Sequence, residues 1–139
     1  MCRRKLKVLL VDDDQVMNFV NKRMLEKSGH ADTIEVGLGG RMGLELLANK
    51  QQKGERFPDL IMLDLNMPEI NGWEFLDEYR KFSPQVKSKT LLVMLTSSLD
   101  PDDFSSAMNR SEVDEYYVKP LEMSVIEDLV AKCQAKSDQ

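Results

Sequence analysis

"LIMLDLNMP", residues 60–68, is the stretch on which the fold reading turns. Leu60 to Leu63 are apolar without alternation, the pattern of a strand buried on both faces. The run stops at Asp64, and the turn residues Met67 and Pro68 follow shortly after, where a proline cannot continue a central ladder. A carboxylate carried to the end of a buried strand is costly unless something meets it there. The rest of the chain therefore has to be searched for what converges on the same place.

Four further stretches read as strands: "LKVLLV" (6–11), "TIEV" (33–36), "TLLVMLT" (90–96) and "EYYVK" (115–119), with the opening stretch extended to "DLIMLDL" (59–65). Helical patterns separate them. After the first strand, Val16, Phe19, Val20, Arg23 and Met24 recur at helical spacing, and Gly29 is a natural stop. "GLGGRMGLELLANK" predicts a glycine-rich entry and a short helix ending near Asn49, followed by a polar loop over Lys50 to Phe57 that reads as a tolerated insertion. "GWEFLDEYRKF" (72–82) is amphipathic. Asp100 is a cap with Pro101 at the first helical position, and "MSVIEDLVAKCQAK" closes the chain with Val125, Ile126, Leu129, Val130 and Cys133 on one side. Strand then helix, five times over, predicts an α/β fold: a doubly wound five-stranded parallel sheet with five helices, flavodoxin-like. There is no linker, repeat or low-complexity segment, so the expectation is a single domain over 1–139 with a core of about 6–132 and no output domain.

Composition narrows the class. The chain of 139 residues carries 19 Lys plus Arg against 24 Asp plus Glu, a net charge of −5, which argues against binding nucleic acid through a basic surface. The start "MCRRKLK" is basic, but the apolar run behind it is too short for a signal peptide or a membrane span. Cys2 and Cys133 form neither a metal-ligand spacing nor a disulfide framework, so reduced thiols in a cytoplasmic protein are expected. His30, the only histidine, follows Gly29 at a helix end, which makes a histidine-dependent hydrolase a poor candidate.

In open parallel sheets, sites form beyond the carboxyl ends of the strands. The first strand delivers Asp12, Asp13 and Asp14 there, the third Asp64, the fourth Thr96 and Ser97, and the fifth Lys119 and Pro120. Each has a plain structural reading. Asp14 caps the next helix, Asp64 begins a turn, Thr96 bonds backbone and Lys119 pairs with a carboxylate. Together they are harder to dismiss, because clustered carboxylates repel unless a cation sits among them. An all-oxygen donor set suits magnesium, or manganese, and not zinc. Carboxylate, cation, amine and hydroxyl make a phosphoryl-binding set in which the carboxylate is the nucleophile.

"VDDD", "DLNMPEING", "MLTS" and "YYVKP", in that order and each at a strand end, resemble the receiver domain of two-component response regulators, of the stand-alone chemotaxis-like type. The resemblance runs from about Leu6 to Lys132. It implies that Asp64 accepts a phosphoryl group from a histidine on a sensor kinase or phosphotransfer protein. It implies that Asp12 and Asp13 hold magnesium with Asp64, Asp13 by direct contact, and that Asn66 adds its backbone carbonyl. Thr96 and Lys119 take the places of the switch hydroxyl and the phosphoryl-binding lysine, and Pro120 the place of a proline that often follows a cis bond. Met67, Pro68 and Gly72 match the turn after the acceptor. Tyr116 stands where the family has an aromatic switch, facing away from Lys119. Phosphorylation would then shift a population of conformations and alter the surface offered to an unidentified downstream protein, with phosphorylation-dependent homodimerisation through the last two helices compatible with the pattern. "SEVDEYY" departs from the small residues that often precede the fifth strand. Asn66 and Ser98 sit where they would tune the lifetime of the phosphorylated state.

Three competing readings fit less well. A magnesium phosphohydrolase of this kind usually has an acid/base aspartate two residues after its nucleophile, where this chain has Asn66. A receiver-like scaffold that turns over no phosphate sits poorly with the full set Asp12, Asp13, Asp64, Thr96 and Lys119. A flavodoxin-like cofactor binder would place a phosphate cradle, not acids, after the first strand.

Overall fold

A computed structural model describes residues 5–137. The basic stretch over residues 1–4, which includes Cys2, lies outside the described residues. The strands are β1 (Leu6–Val11), β2 (Ala31–Gly37), β3 (Leu60–Leu63), β4 (Leu91–Thr96) and β5 (Glu115–Val118). The helices are α1 (Gln15–Ser28), α2 (Gly40–Lys53), α3 (Gly72–Tyr79), α4 (Pro84–Lys87), α5 (Pro101–Met108) and α6 (Met123–Ser137). All pairings are parallel, in the order β2-β1-β3-β4-β5. The chain steps from β1 outward to β2 and returns to the other side of β1 with β3. Beyond Val11 and Leu63, which are paired across β1 and β3, the strand ends open onto the switch-point crevice.

Alternation along the strands fills two cores, one on each face. Leu9, Val11, Ile61, Leu63, Leu92 and Met94 point to one face, where Leu47, Phe75, Leu76 and Ala107 from α2, α3 and α5 cover them. Val8, Leu10, Leu60, Met62, Val93 and Leu95 point to the other, covered by Leu25 of α1 and by Ile126, Leu129, Val130 and Cys133 of α6. The unbroken apolar strands of the sequence are thus two interleaved faces, each covered by helices.

Two expectations need correcting, and α1 adds an unexpected orientation. The described residues form six helices, because Ser83-Pro84 starts a short α4 within the connection between α3 and β4, with proline at its first turn. The helix expected to end near Asn49 continues to Lys53 and stops at Gly54, whose φ of 71° ends it in a left-handed cap. Lys50 to Lys53 are polar but carry good helix propensity, and Lys50 pairs with Glu35 at 2.9 Å, so the first half of the expected loop is helix. The apolar stripe of α1 faces outward. Val16 is 71% and Phe19 64% exposed, while Asn18, Asn21 and Leu25 face the sheet. Asp14 caps this helix, accepting from the N–H groups of Val16 and Met17.

The unusual "SEVDEYY" connection is held at several points. Arg110 bridges Asp77 and Glu112, Val113 is buried, and the Asp114 carboxylate accepts from the Leu92 N–H at 2.8 Å, fastening the entry of β5 to β4.

Candidate acidic site

The backbone brings the acids together before any side chain acts. The Asp64 N–H donates to the Val11 carbonyl at 2.9 Å, continuing the β1–β3 ladder by one step, so Asp64 lies next to the Asp12 turn. The Asp12 N–H donates to Gly37 and its carbonyl accepts from Gly39, which ties the same turn to the end of β2. Gly72 opens α3 close behind the turn that follows Asp64. A Cβ there would lie 2.9 Å from Leu65 Cα and 3.0 Å from the Asp64 carbonyl, so only glycine lets α3 start against that backbone.

Carboxylate oxygens of Asp12, Asp13 and Asp64 lie within 4.8 Å of one another, with Asp12 and Asp64 buried and Asp13 exposed. Lys119 Nζ donates to Asp12 Oδ2 at 2.6 Å and lies 3.5 Å from Asp64 Oδ1. The other Asp12 oxygen accepts from the Asp14 N–H at 3.0 Å. Burial, and next the Asp12 carboxylate, push the Asp64 carboxyl from 3.8 up to about 6, against the opposing pull of Lys119. Burial works against the Lys119 ammonium, but the hydrogen bond and charge of Asp12 and the charge of Asp64 outweigh it and raise its pKa. One ammonium thus serves two buried carboxylates. The cluster is left short of positive charge, and its donors are all hard oxygens, which fits a divalent cation such as Mg2+.

Thr96 is fully buried at the end of β4. Its hydroxyl oxygen accepts from the Ser98 N–H at 3.2 Å and its carbonyl from the Lys119 N–H at 2.8 Å, so hydroxyl and lysine share a backbone link. The Ser98 hydroxyl donates to Asp103 of α5. Asn66 is exposed on the turn beyond Asp64, and the Lys119–Pro120 peptide is cis. Tyr116 is half-buried and packs edge-on against Phe104 of α5, with ring centroids 5.4 Å apart, and its hydroxyl is buried without a hydrogen-bond partner.

The sequence reading missed two groups near the site. Asp103 anchors Ser98, and Asn18 reaches the Asp12 carbonyl from α1 with its Nδ2 at 2.8 Å. A signal for Asn18 exists: Asn18, Asn21 and Leu25 are spaced i, i+3, i+7, a second helical stripe that competes with the apolar one.

Acids gathered at the switch point of an all-parallel sheet, with a lysine across from them, define a receiver of the flavodoxin-like class. The chain belongs to the response regulator receiver domain family, which it matches over residues 8–131. A two-component response regulator from Cytophaga hutchinsonii superposes with a TM-score of 0.87 at 34% identity, covering 95% of this chain and 99% of that one. Two-component response regulator ORR1 of Oryza sativa subsp. indica is 31% identical over 96% of this chain and 57% of its own length. The probable methanogenesis regulatory protein FilR2 of Methanothrix harundinacea is 30% identical over 82% of this chain and 72% of its own. The chain spans about half the length of several curated relatives it matches. The family is a signalling domain rather than an enzyme. Among the described residues, no helix is long and apolar enough to cross a membrane.

Proposed function

We propose that this receiver, over residues 6–132, is switched by phosphorylation of Asp64, with the phosphoryl group supplied by a histidine of a sensor kinase or phosphotransfer protein in the cytoplasm. The observation that carries the reading is the meeting of Asp12, Asp13 and Asp64 within 4.8 Å of one another, with the Lys119 ammonium against two of them. Asp12, Asp13, Asp64 and the backbone carbonyl of Asn66 would hold Mg2+, or Mn2+, which when bound offsets charge on phosphoryl oxygens.

The residues of the chain supply the rest. An Asp64 carboxylate oxygen attacks phosphorus, the P–N bond to the donor imidazole breaks, and the ring nitrogen leaves with the electron pair. Lys119, already between Asp12 and Asp64, pairs with a phosphoryl oxygen. The Thr96 hydroxyl turns toward the phosphoryl group, giving up its bond from the Ser98 N–H. Loss of that bond loosens the Ser98–Asp103 tie to α5, and Tyr116 repacks beside Phe104. The surface of α5, β5 and α6 then changes its affinity for a downstream protein, or for a second copy of the chain. Asn66 and Ser98 flank the approach of water to the acyl phosphate and set its lifetime. The outward stripe of Val16, Phe19 and Val20, on the helix that begins beside the acids, suits the docking of a protein donor.

The test is intact mass after incubation with a small phosphodonor, with and without Mg2+, on wild type and Asp64→Ala. A Mg2+-dependent gain of one phosphoryl group, absent from the variant, is expected. No gain in a wild type that binds Mg2+ favours a scaffold.

A further inference from the structure

α1 is built against its own apolar pattern. Asn18 and Asn21 are 4% and 3% exposed against the sheet, while Val16 and Phe19 lie in solvent. Asn18 Nδ2 donates to the Asp12 carbonyl, yet Oδ1 of Asn18 and Oδ1 of Asn21 are both buried without a hydrogen-bond partner. An unsatisfied buried acceptor is destabilising, whereas leucine would fill the same space without that cost. Asn18 and Asn21 line a partly enclosed cavity of about 10 Å3, together with Met62, Leu95, Asp12 and Asp64. That volume is about one water molecule, and two unpaired acceptors are what the two hydrogens of a water require.

We propose that Asn18 and Asn21 are positioning residues that hold one internal water behind the acid cluster, and that this polar wedge fixes Asp12 for the divalent cation. The proposal rests on the reading of Asp12, Asp13 and Asp64 as a cation site. Asn18 holds the Asp12 turn directly, through its carbonyl. Asn21 acts through the water. Asp12 is otherwise oriented by Lys119 on one carboxylate oxygen and by the Asp14 N–H on the other, with its backbone tied toward the end of β2 through Gly37 and Gly39, so losing the tie to α1 lets the carboxylate follow the lysine away from the cation. Groups that orient ligands in this indirect way typically change metal affinity by about 10- to 100-fold when removed.

Calorimetric titration of Mg2+ into the full chain, well below the melting temperature, reads this directly. Asn18→Ala, which cannot clash, is expected to weaken Mg2+ binding about 10-fold or more, and Asn21→Ala to weaken it less. Lys27→Ala, exposed in the last turn of the same helix, should bind as wild type does. A merely structural role lowers the melting temperature of the asparagine variants but leaves the dissociation constant of the folded protein unchanged, and that result overturns the proposal. If Asn18→Ala does not fold, Asn21→Ala carries the test, since its Oδ1 reaches the acid turn only through the water. A high-resolution crystal structure should show one ordered water between the two amides, and a dry cavity would also overturn the proposal. Absence of Mg2+ binding by the wild type removes the cation reading itself and the proposal with it, an outcome distinct from unchanged binding by the variants.

Discussion

Lys119 donates to the Asp12 carboxylate at 2.6 Å with both side chains almost entirely buried. The ammonium is therefore part of the fold as well as part of the site. Breaking a buried pair by removing one partner leaves an uncompensated charge and costs about 3–5 kcal/mol. Lys119→Met should lose stability of that order in urea unfolding at neutral pH. The loss should shrink in acid, where the freed carboxylates protonate. An equal loss at both pH values would remove charge compensation as the cause.

Asp64 shows the opposite sign. Its folded-state pKa, about 6, lies above the ordinary 3.8. Ionising it therefore costs the folded protein stability, and the cost is absent below 3.8, grows as pH rises between the two values, and is complete above about 6. Asp64→Asn escapes that cost. The metal-free variant should melt at a higher temperature than wild type at neutral pH, with the difference vanishing toward pH 3.8. In the wild type, Mg2+ should narrow the same gap, because the cation favours the ionised carboxylate.

Proton competition also sets the pH profile of phosphorylation. The nucleophile is the carboxylate, so the rate with a small phosphodonor at subsaturating Mg2+ should fall as pH drops through about 6 and level off above it. Raising Mg2+ should move the midpoint downward. A flat profile across that range would separate the rate from Asp64 ionisation.

Thr96→Val keeps the shape of a fully buried residue and removes the acceptor of the Ser98 N–H. The stability loss should be about 1 kcal/mol. Phosphoryl incorporation at Asp64 should persist, while the effect of phosphorylation on the Tyr116 environment, read by NMR, should be lost. A wild-type response of Tyr116 in this variant would mean that the signal leaves the site by another route.

Phe19 is 64% exposed on the outward face of α1. Phe19→Asp should leave stability and small-donor phosphorylation near wild type and slow transfer from a phosphorylated histidine protein. The comparison of the two donors isolates docking from chemistry, and equal rates from both in the variant would take α1 out of the docking surface.

The sheet and the list of acids were legible because both are local. A four- to six-residue apolar run bounded by turn residues can only be a buried strand or a helix too short to stand, and the runs of β1, β3 and β4 lead directly into residues of the site. Alternation from strand to helix then implies a parallel sheet, and a parallel sheet sends every strand end to the same rim. Asp12, Asp13, Asp64, Thr96 and Lys119 follow from that reasoning alone. The end of α2 was not legible, since Lys50 to Lys53 are polar residues that suit helix and loop equally, and the ion pair of Lys50 with Glu35 on β2 is a long-range contact.

The direction in which α1 faces is the clearest limit of a one-dimensional reading. Periodicity identifies a helix and offers two stripes, the apolar Val16, Phe19 and Val20 or the mixed Asn18, Asn21 and Leu25. Local hydrophobicity favours burying the first. Tertiary structure chose the second, because the Asp14 cap starts the helix at the acid turn and the Asp12 carbonyl accepts from Asn18 across it. Short-range patterns of burial and turn chemistry were enough to say which residues end each strand. Only the packed sheet decided which of them touch, which share the one ammonium, and which helix face is left for a partner, because those outcomes depend on contacts between residues far apart in the chain.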